Sequence, residues 1–188
     1  VLSDRGVDKD NAPIPALLAT SAVHHHLIDR KKRLQTALII ESGDAREVMH
    51  FALLSGYGAS AINPYLAFAV INDLVEKKEI QLDFHTAQKN YIKAVDKGLL
   101  KVMSKMGIST ITSYKGAQLF EAIGVSDDMI RKYFGHTISK ISGIDIDDLS
   151  KDILKSHSEA YSGEFDEELP LRHLGPVSYT HLTLPTTE

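Results

Sequence analysis

The sequence predicts an α/β fold with parallel strands. Two observations carry that expectation. Short apolar runs of β type alternate with apolar stripes at helical spacing, and each strand passes to its helix within a few residues. Val1 and Leu2 read as a strand leading into the polar turn "SDRGVDKDNAP". Ile14, Leu17, Leu18, Ala22, His25 and Ile28 then recur at helical spacing behind Pro13 and Pro15, which suit a helix start. "TALIIESG", 36–43, is a buried-strand pattern that closes on a carboxylate and a glycine. "AREVMHFALLSG" is a helix closed by Gly56, and "ASAINP" a short strand stopped by Pro64. Ala67, Val70, Ile71, Leu74 and Val75 make the next stripe, and the charged "VEKKEIQLD" breaks the rhythm as a connector. Tyr91, Val95, Leu99, Val102, Met103 and Met106 predict a long helix. "GISTIT" has strand spacing, and "AQLFEAIGV" predicts a second strand, followed by a helix through Met129, Ile130 and Tyr133. "DIDDLSKDILKSHSEAY" is amphipathic, with aspartates at its N-terminal end where the helix dipole favours them.

Composition limits the function classes. The 188 residues carry 43% apolar and 24% charged residues, ordinary for a globular chain, and a net charge of −4 with both signs interspersed. That balance gives no nucleic-acid groove and no basic membrane face. With no cysteine, the chain has no disulfide, no thiolate metal ligand and no cysteine nucleophile. No apolar run approaches the ~20 residues of a spanning helix, and no signal peptide is evident. Val1-Leu2-Ser3-Asp4 reads like a strand already under way. The last residues, "PVSYTHLTLPTTE", carry no helical period and resemble the in-frame translation of a transposase-type sequencing adapter.

Several motifs invite a chemical reading. His24, His25 and His26 suggest a metal, but neighbours on a helix point about 100° apart and cannot converge on one ion. Zinc takes i, i+4 pairs or ligands from several elements, so the expectation is no metal site. "GYGAS" lacks the third glycine of a dinucleotide fingerprint and follows a helix instead of opening one. Asp145, Asp147 and Asp148 lack the glycine and the closing glutamate of a calcium loop. Asp4 and Arg5 directly follow a strand, where α/β proteins place ligand groups; a solvated turn explains them equally well. In "KVMSKMGISTITSYKGAQLFEAIG", alternation puts Ser109, Ile111 and Ser113 on one strand face and Ile108, Thr110 and Thr112 on the other. Hydroxyls and amides there suit the edge of a flat ring covered by Met and Ile, and they equally suit an ordinary Ser/Thr-rich strand.

Three long strings carry a resemblance. "LSDRGVDKDNAPIPALLATSAVHHHLI", "IIESGDAREVMHFALLSGYGASAINPYLAF" and "YIKAVDKGLLKVMSKMGISTITSYKGAQLFEAIG" resemble the large (α) subunits of glutamate synthases, nearly without a break to about Gly175. The resemblance implies four parts: the end of the central domain over 1–78, a linker over 79–89, the start of an FMN-binding (β/α) barrel over 90–175, and a non-native tail over 176–188. A closed barrel takes eight units and about 250 residues, so the fold implied for this stretch is an incomplete one.

The same resemblance implies a cytoplasmic or plastid-stromal flavoprotein. In such enzymes a glutaminase domain with a catalytic cysteine releases ammonia from glutamine, the ammonia crosses a tunnel and adds to 2-oxoglutarate, and FMN reduces the imine to glutamate. Electrons arrive through a 3Fe-4S cluster from ferredoxin or from a pyridine-nucleotide-oxidising small subunit. Carried over residue by residue, Met106, Gly107, Ile108, Ser109 and Thr110 become the flavin-wall candidates, with Gln118 from the second strand region. Glu121, the lone carboxylate of its apolar run, becomes the candidate that orients flavin or substrate; burial would raise its pKa unless it is paired. A glutamate on the outer strand face is the simpler alternative. The expected function is a segment of glutamate synthase, inactive alone and holding no cofactor stably. The alternatives are a short flavin-binding module or a non-catalytic structural or interaction module.

Overall fold

The computed structural model describes residues 1–162. The expectations for 163–175 and for the tail lie outside the described residues.

Among the described residues the chain is α/β, and every strand pair within the two sheets is parallel. The first sheet has the order β1-β2-β3, formed by β1 (Leu2–Ser3), β2 (Ile39–Glu41) and β3 (Ala61–Asn63). Register pairs Leu2 with Ile40 and Ile40 with Ile62, so one apolar rung crosses the sheet. Helices α1 (Ala16–Asp29), α2 (Val48–Gly56) and α3 (Tyr65–Glu76) follow the strands in turn, the strand–helix order that parallel pairing requires. Helix α4 (Phe84–Lys105) packs on α2 and α3. Its start is fixed by Asp83, whose carboxylate accepts the Thr86 N–H at 3.0 Å. The core joins Ala16, Leu38, Ile40, Ala45, Phe51, Leu54, Ala59 and Val95. Val95 lies on α4, so that helix shares the core of the first sheet.

The cap of α1 comes from elsewhere in the chain. The helix follows Pro15, which offers no side-chain acceptor, and the Asp44 carboxylate of the loop after β2 accepts the Ala16 N–H at 3.4 Å. The aspartates at the other end of the chain do cap a helix. Asp145 accepts the N–H groups of Asp147 and Asp148, both at 2.9 Å, at the start of α7 (Ile146–Ala160).

The second sheet pairs β4 (Glu121–Val125) with β5 (Ile138–Ile144), separated by α6 (Asp127–Tyr133). Its register slips twice, around Ile123. Hydrogen bonds tie this unit and the segment leading into it to the first. Ser21 Oγ donates to the Tyr133 carbonyl at 2.6 Å, Tyr57 Oη and Thr137 Oγ1 lie 2.8 Å apart, and the Gly116 N–H donates to the Gly56 carbonyl at 2.8 Å.

One predicted strand is absent. The segment 107–113 is a turn followed by the short helix α5 (Ile111–Tyr114). Thr110 caps that helix, its hydroxyl accepting the Ser113 N–H at 3.3 Å. Burial of Tyr114, which is 0% exposed, rewards the helical turn over an extended run.

Candidate functional site

The carboxyl ends of β1, β2 and β3 bring together a connected polar cluster. Parallel strands that end together present the residues just past their last ladder bonds to one surface. Glu41, last in β2, sits at the centre. It accepts Ser3 Oγ at 2.7 Å, Arg5 Nε at 2.6 Å and Asn63 Nδ2 at 3.1 Å. The Ser3 and Arg5 hydrogen bonds hold the Glu41 carboxyl below its ordinary range. Asp4 accepts Ser42 Oγ at 2.8 Å and the Gly43 N–H at 3.0 and 3.1 Å. The Arg5 guanidinium lies 4.2 Å from the centroid of the Tyr65 ring. Burial, and next the Asp4 carboxylate beside it, push the Tyr65 phenol up to about 12.

Asp4 and Arg5 were legible as candidates, and Glu41 only as the carboxylate that closes its strand; Ser3, Asn63 and Tyr65 were not. The missed signal is positional, since Ser3, Glu41 and Asn63 each close a strand. The cluster satisfies itself. Both carboxylates are filled by donors of the same chain, which pins the loop after β1 across all three strands.

The three histidines of α1 do not converge. His24 is half-buried, and burial, followed by the charges of Arg33 and His25, lowers its pKa to about 4. Its Nδ1 accepts Arg33 Nε at 2.8 Å, while Arg33 also holds the Thr36 and Gly58 carbonyls. His25 Nδ1 pairs with the Ser21 carbonyl at 2.8 Å. Among the described residues no group of three His, Cys, Asp or Glu side chains is placed to hold a metal ion.

The predicted flavin-wall residues sit at the end of α4 and just beyond. Met106 is the C-cap, 43% exposed, and Gly107 follows at φ +71 with open space where a Cβ would stand. Ser109 and Thr110 are exposed and Ile108 is half-buried. Gln118 is exposed in the approach to β4, at φ 53. Gln118 is therefore near Glu121 in the chain, and on a different segment from Met106–Thr110.

Glu121 is paired and partly exposed. It opens β4, its side chain is half exposed, and it pairs with Lys140 of β5 at 3.0 Å. Neighbouring parallel strands set these two side chains on the same outer face, as the simpler reading had it.

As a strip against a flat ring, 106–110 fits on one count. It offers an exposed thioether, two exposed hydroxyl side chains and a glycine with open space above it. None of Met106, Gly107, Ile108, Ser109, Thr110 and Gln118 carries charge, so a flavin phosphate would need partners from other segments. An iron–sulfur cluster does not fit this chain, which has no thiolate to offer.

Comparison with known proteins decides the family. The family model for the glutamate synthase central domain matches residues 1–126. The chain belongs to the glutamate synthase family. It is 46% identical over 169 residues to the "Glutamate synthase [NADPH] large chain" of Bacillus subtilis (strain 168), covering 90% of this chain and 11% of that protein. It is 46% identical over 163 residues to the "Glutamate synthase [NADH]" of Schizosaccharomyces pombe, covering 86% and 8%. It is 42% identical over 191 residues to the "Ferredoxin-dependent glutamate synthase" of Antithamnion sp., covering 95% and 12%. The chain thus spans about a tenth of the length of these curated relatives. No helix among the described residues is long and apolar enough to cross a membrane.

Proposed function

We propose that this chain is the stretch of a glutamate synthase large chain that leads from the central domain to the flavin site. The parent reaction is the reductive transfer of glutamine-derived ammonia to 2-oxoglutarate. Glutamine, 2-oxoglutarate and an electron donor, either ferredoxin or a pyridine-nucleotide-oxidising partner, are then its substrates and partners. The family relationship carries this reading, through relatives named for NADPH, NADH and ferredoxin as donors. FMN, when bound in the parent, supplies the hydride.

Within that reading the division of labour follows the geometry. The strand-end cluster around Glu41 and Asp4 is scaffold, because its acceptors are already filled. Met106–Thr110, uncharged and exposed apart from the half-buried Ile108, form one wall against the flavin ring, and the exposed Gln118 amide reaches the same ligand from the approach to β4. Glu121 orients flavin or substrate only by giving up Lys140, its partner in the ion pair. The cytoplasm or plastid stroma is the proposed location.

The test uses the whole large chain that contains this segment. Met106→Ala and Ser109→Ala should shift the flavin absorption bands and lower glutamine-dependent glutamate formation. An unaltered flavin spectrum with full turnover in both variants would contradict the wall.

A further inference from the structure

We infer that α2 is the platform that sets the position of the 106–110 wall, with Gly98 and Tyr114 as its positioning residues. This rests on the reading of Met106–Thr110 as a flavin wall.

Three contacts clamp the wall onto one helix, and they flank it on both sides. Upstream, α4 lies so close on α2 that a Cβ at Gly98 would stand 2.3 Å from Val48 Cγ2 and 2.8 Å from Val48 Cγ1. Only glycine admits that approach, because real Cβ atoms do not come that near. Downstream, Tyr114 is 0% exposed and its hydroxyl donates to the Ala52 carbonyl at 3.2 Å. Two residues later the Gly116 N–H donates to the Gly56 carbonyl at 2.8 Å. Val48, Ala52 and Gly56 succeed one another at intervals of four, along one face of α2.

The segment between these anchors makes few contacts of its own. A Cβ added at Gly107 would meet nothing within 4 Å, and Met106, Ser109 and Thr110 are exposed. Its placement is therefore dictated from the two ends. From Gly98 to Met106 the helix runs about 12 Å, at 1.5 Å per residue, and a helix transmits a tilt at one end to the other. Glycine in a helix interior is destabilising relative to alanine. A close helix–helix approach gives that cost a purpose.

The experiment has two arms. In the 188-residue chain, Gly98→Ala and Tyr114→Phe should move the backbone amide signals of Gly107–Thr110, and Val48→Ala should restore them when combined with Gly98→Ala. The β4 and β5 signals should stay in place. In the whole large chain containing this segment, Gly98→Ala should shift the flavin midpoint potential and lower turnover on the order of 100-fold, the scale of a misplacement of about 1 Å. Adding Val48→Ala, which removes the two nearest obstructing atoms, should recover both. If Gly98→Ala does not fold, Tyr114→Phe, which keeps the ring and loses one hydrogen bond, gives the same shift in smaller measure. A Gly98→Ala chain with a lowered melting temperature and an unshifted potential would reduce the contact to mere stability and overturn the inference. If Met106→Ala leaves the potential unshifted as well, the wall itself is wrong; if Met106→Ala shifts it and both positioning variants do not, only the platform is wrong.

Discussion

The two parallel sheets of this chain are finished to different degrees. In and beside the first, Ile40 is 1% exposed, Leu38 5% and Ala45 0%, and the polar strand ends are saturated by Ser3, Arg5, Ser42 and Asn63. In the second, Ile123 is 73% exposed, Ile138 58% and Ile141 59%, and the chemistry at the strand start is one outer-face ion pair. Parallel sheets are ordinarily covered on both faces. The contrast teaches that the same strand–helix pattern can encode a closed scaffold and an open surface within one chain. What separates them is α4, which lays its 22 residues on α2 and α3 and brings Val95 into the first core.

The largest effect that would sharpen this contrast is in the first core. Ile40→Ala should cost about 2–5 kcal/mol, whereas Ile123→Ala should stay within about 0.5 kcal/mol, both read from urea melts. Similar costs at the two positions would erase the distinction.

His24 tests the first unit from a second direction. Its folded pKa of about 4 lies below the ordinary 6.5. Above 6.5 the imidazole is neutral in both states and the packing against Arg33 and Gly58 is intact. Between 6.5 and 4 the unfolded chain takes up a proton that the folded chain refuses, so stability falls as the pH falls. The half-exposed ring limits the effect to the order of 1 kcal/mol after solvent screening. Denaturant melts from pH 7 to pH 4 should show this slope in the native chain, and His24→Gln should flatten it. An unchanged slope would mean that His24 does not carry the shift.

The sequence reached the first sheet because its strands are compact apolar runs bounded by turn formers: "TALIIESG" and "ASAINP" are interpretable without knowing what they touch. It also reached α1, α2, α3, α4, α6 and α7 through their apolar stripes. It missed β5, where Ser139, Lys140 and Ser142 interrupt the isoleucines and the partner strand alone gives the run its meaning. It mistook 107–113 for a strand because Ser109, Ile111 and Ser113 alternate; the local cue was Thr110, a helix cap three residues before Ser113. The exposure of Glu121 was hidden by its apolar neighbours, since a half-covered sheet leaves such a carboxylate in water. Asp4, Arg5 and Glu41 were visible as a polar end, but their mutual saturation was not, because pairing across strands depends on register.

The smallest expected effect is at the open sheet. Glu121→Gln removes one exposed ion pair and should change stability by less than about 1 kcal/mol. A greater loss would mean that the second sheet leans on Glu121 far more than its exposure suggests.

Native-state hydrogen exchange on the 188-residue chain tests the contrast most directly. Amides of β2, α2 and the Val95 turn of α4 should exchange only through global opening, while those of β4 and β5 should exchange through local opening at far lower free energy. Equal protection across the two sheets would contradict it, and would mean that the second sheet is as complete as the first.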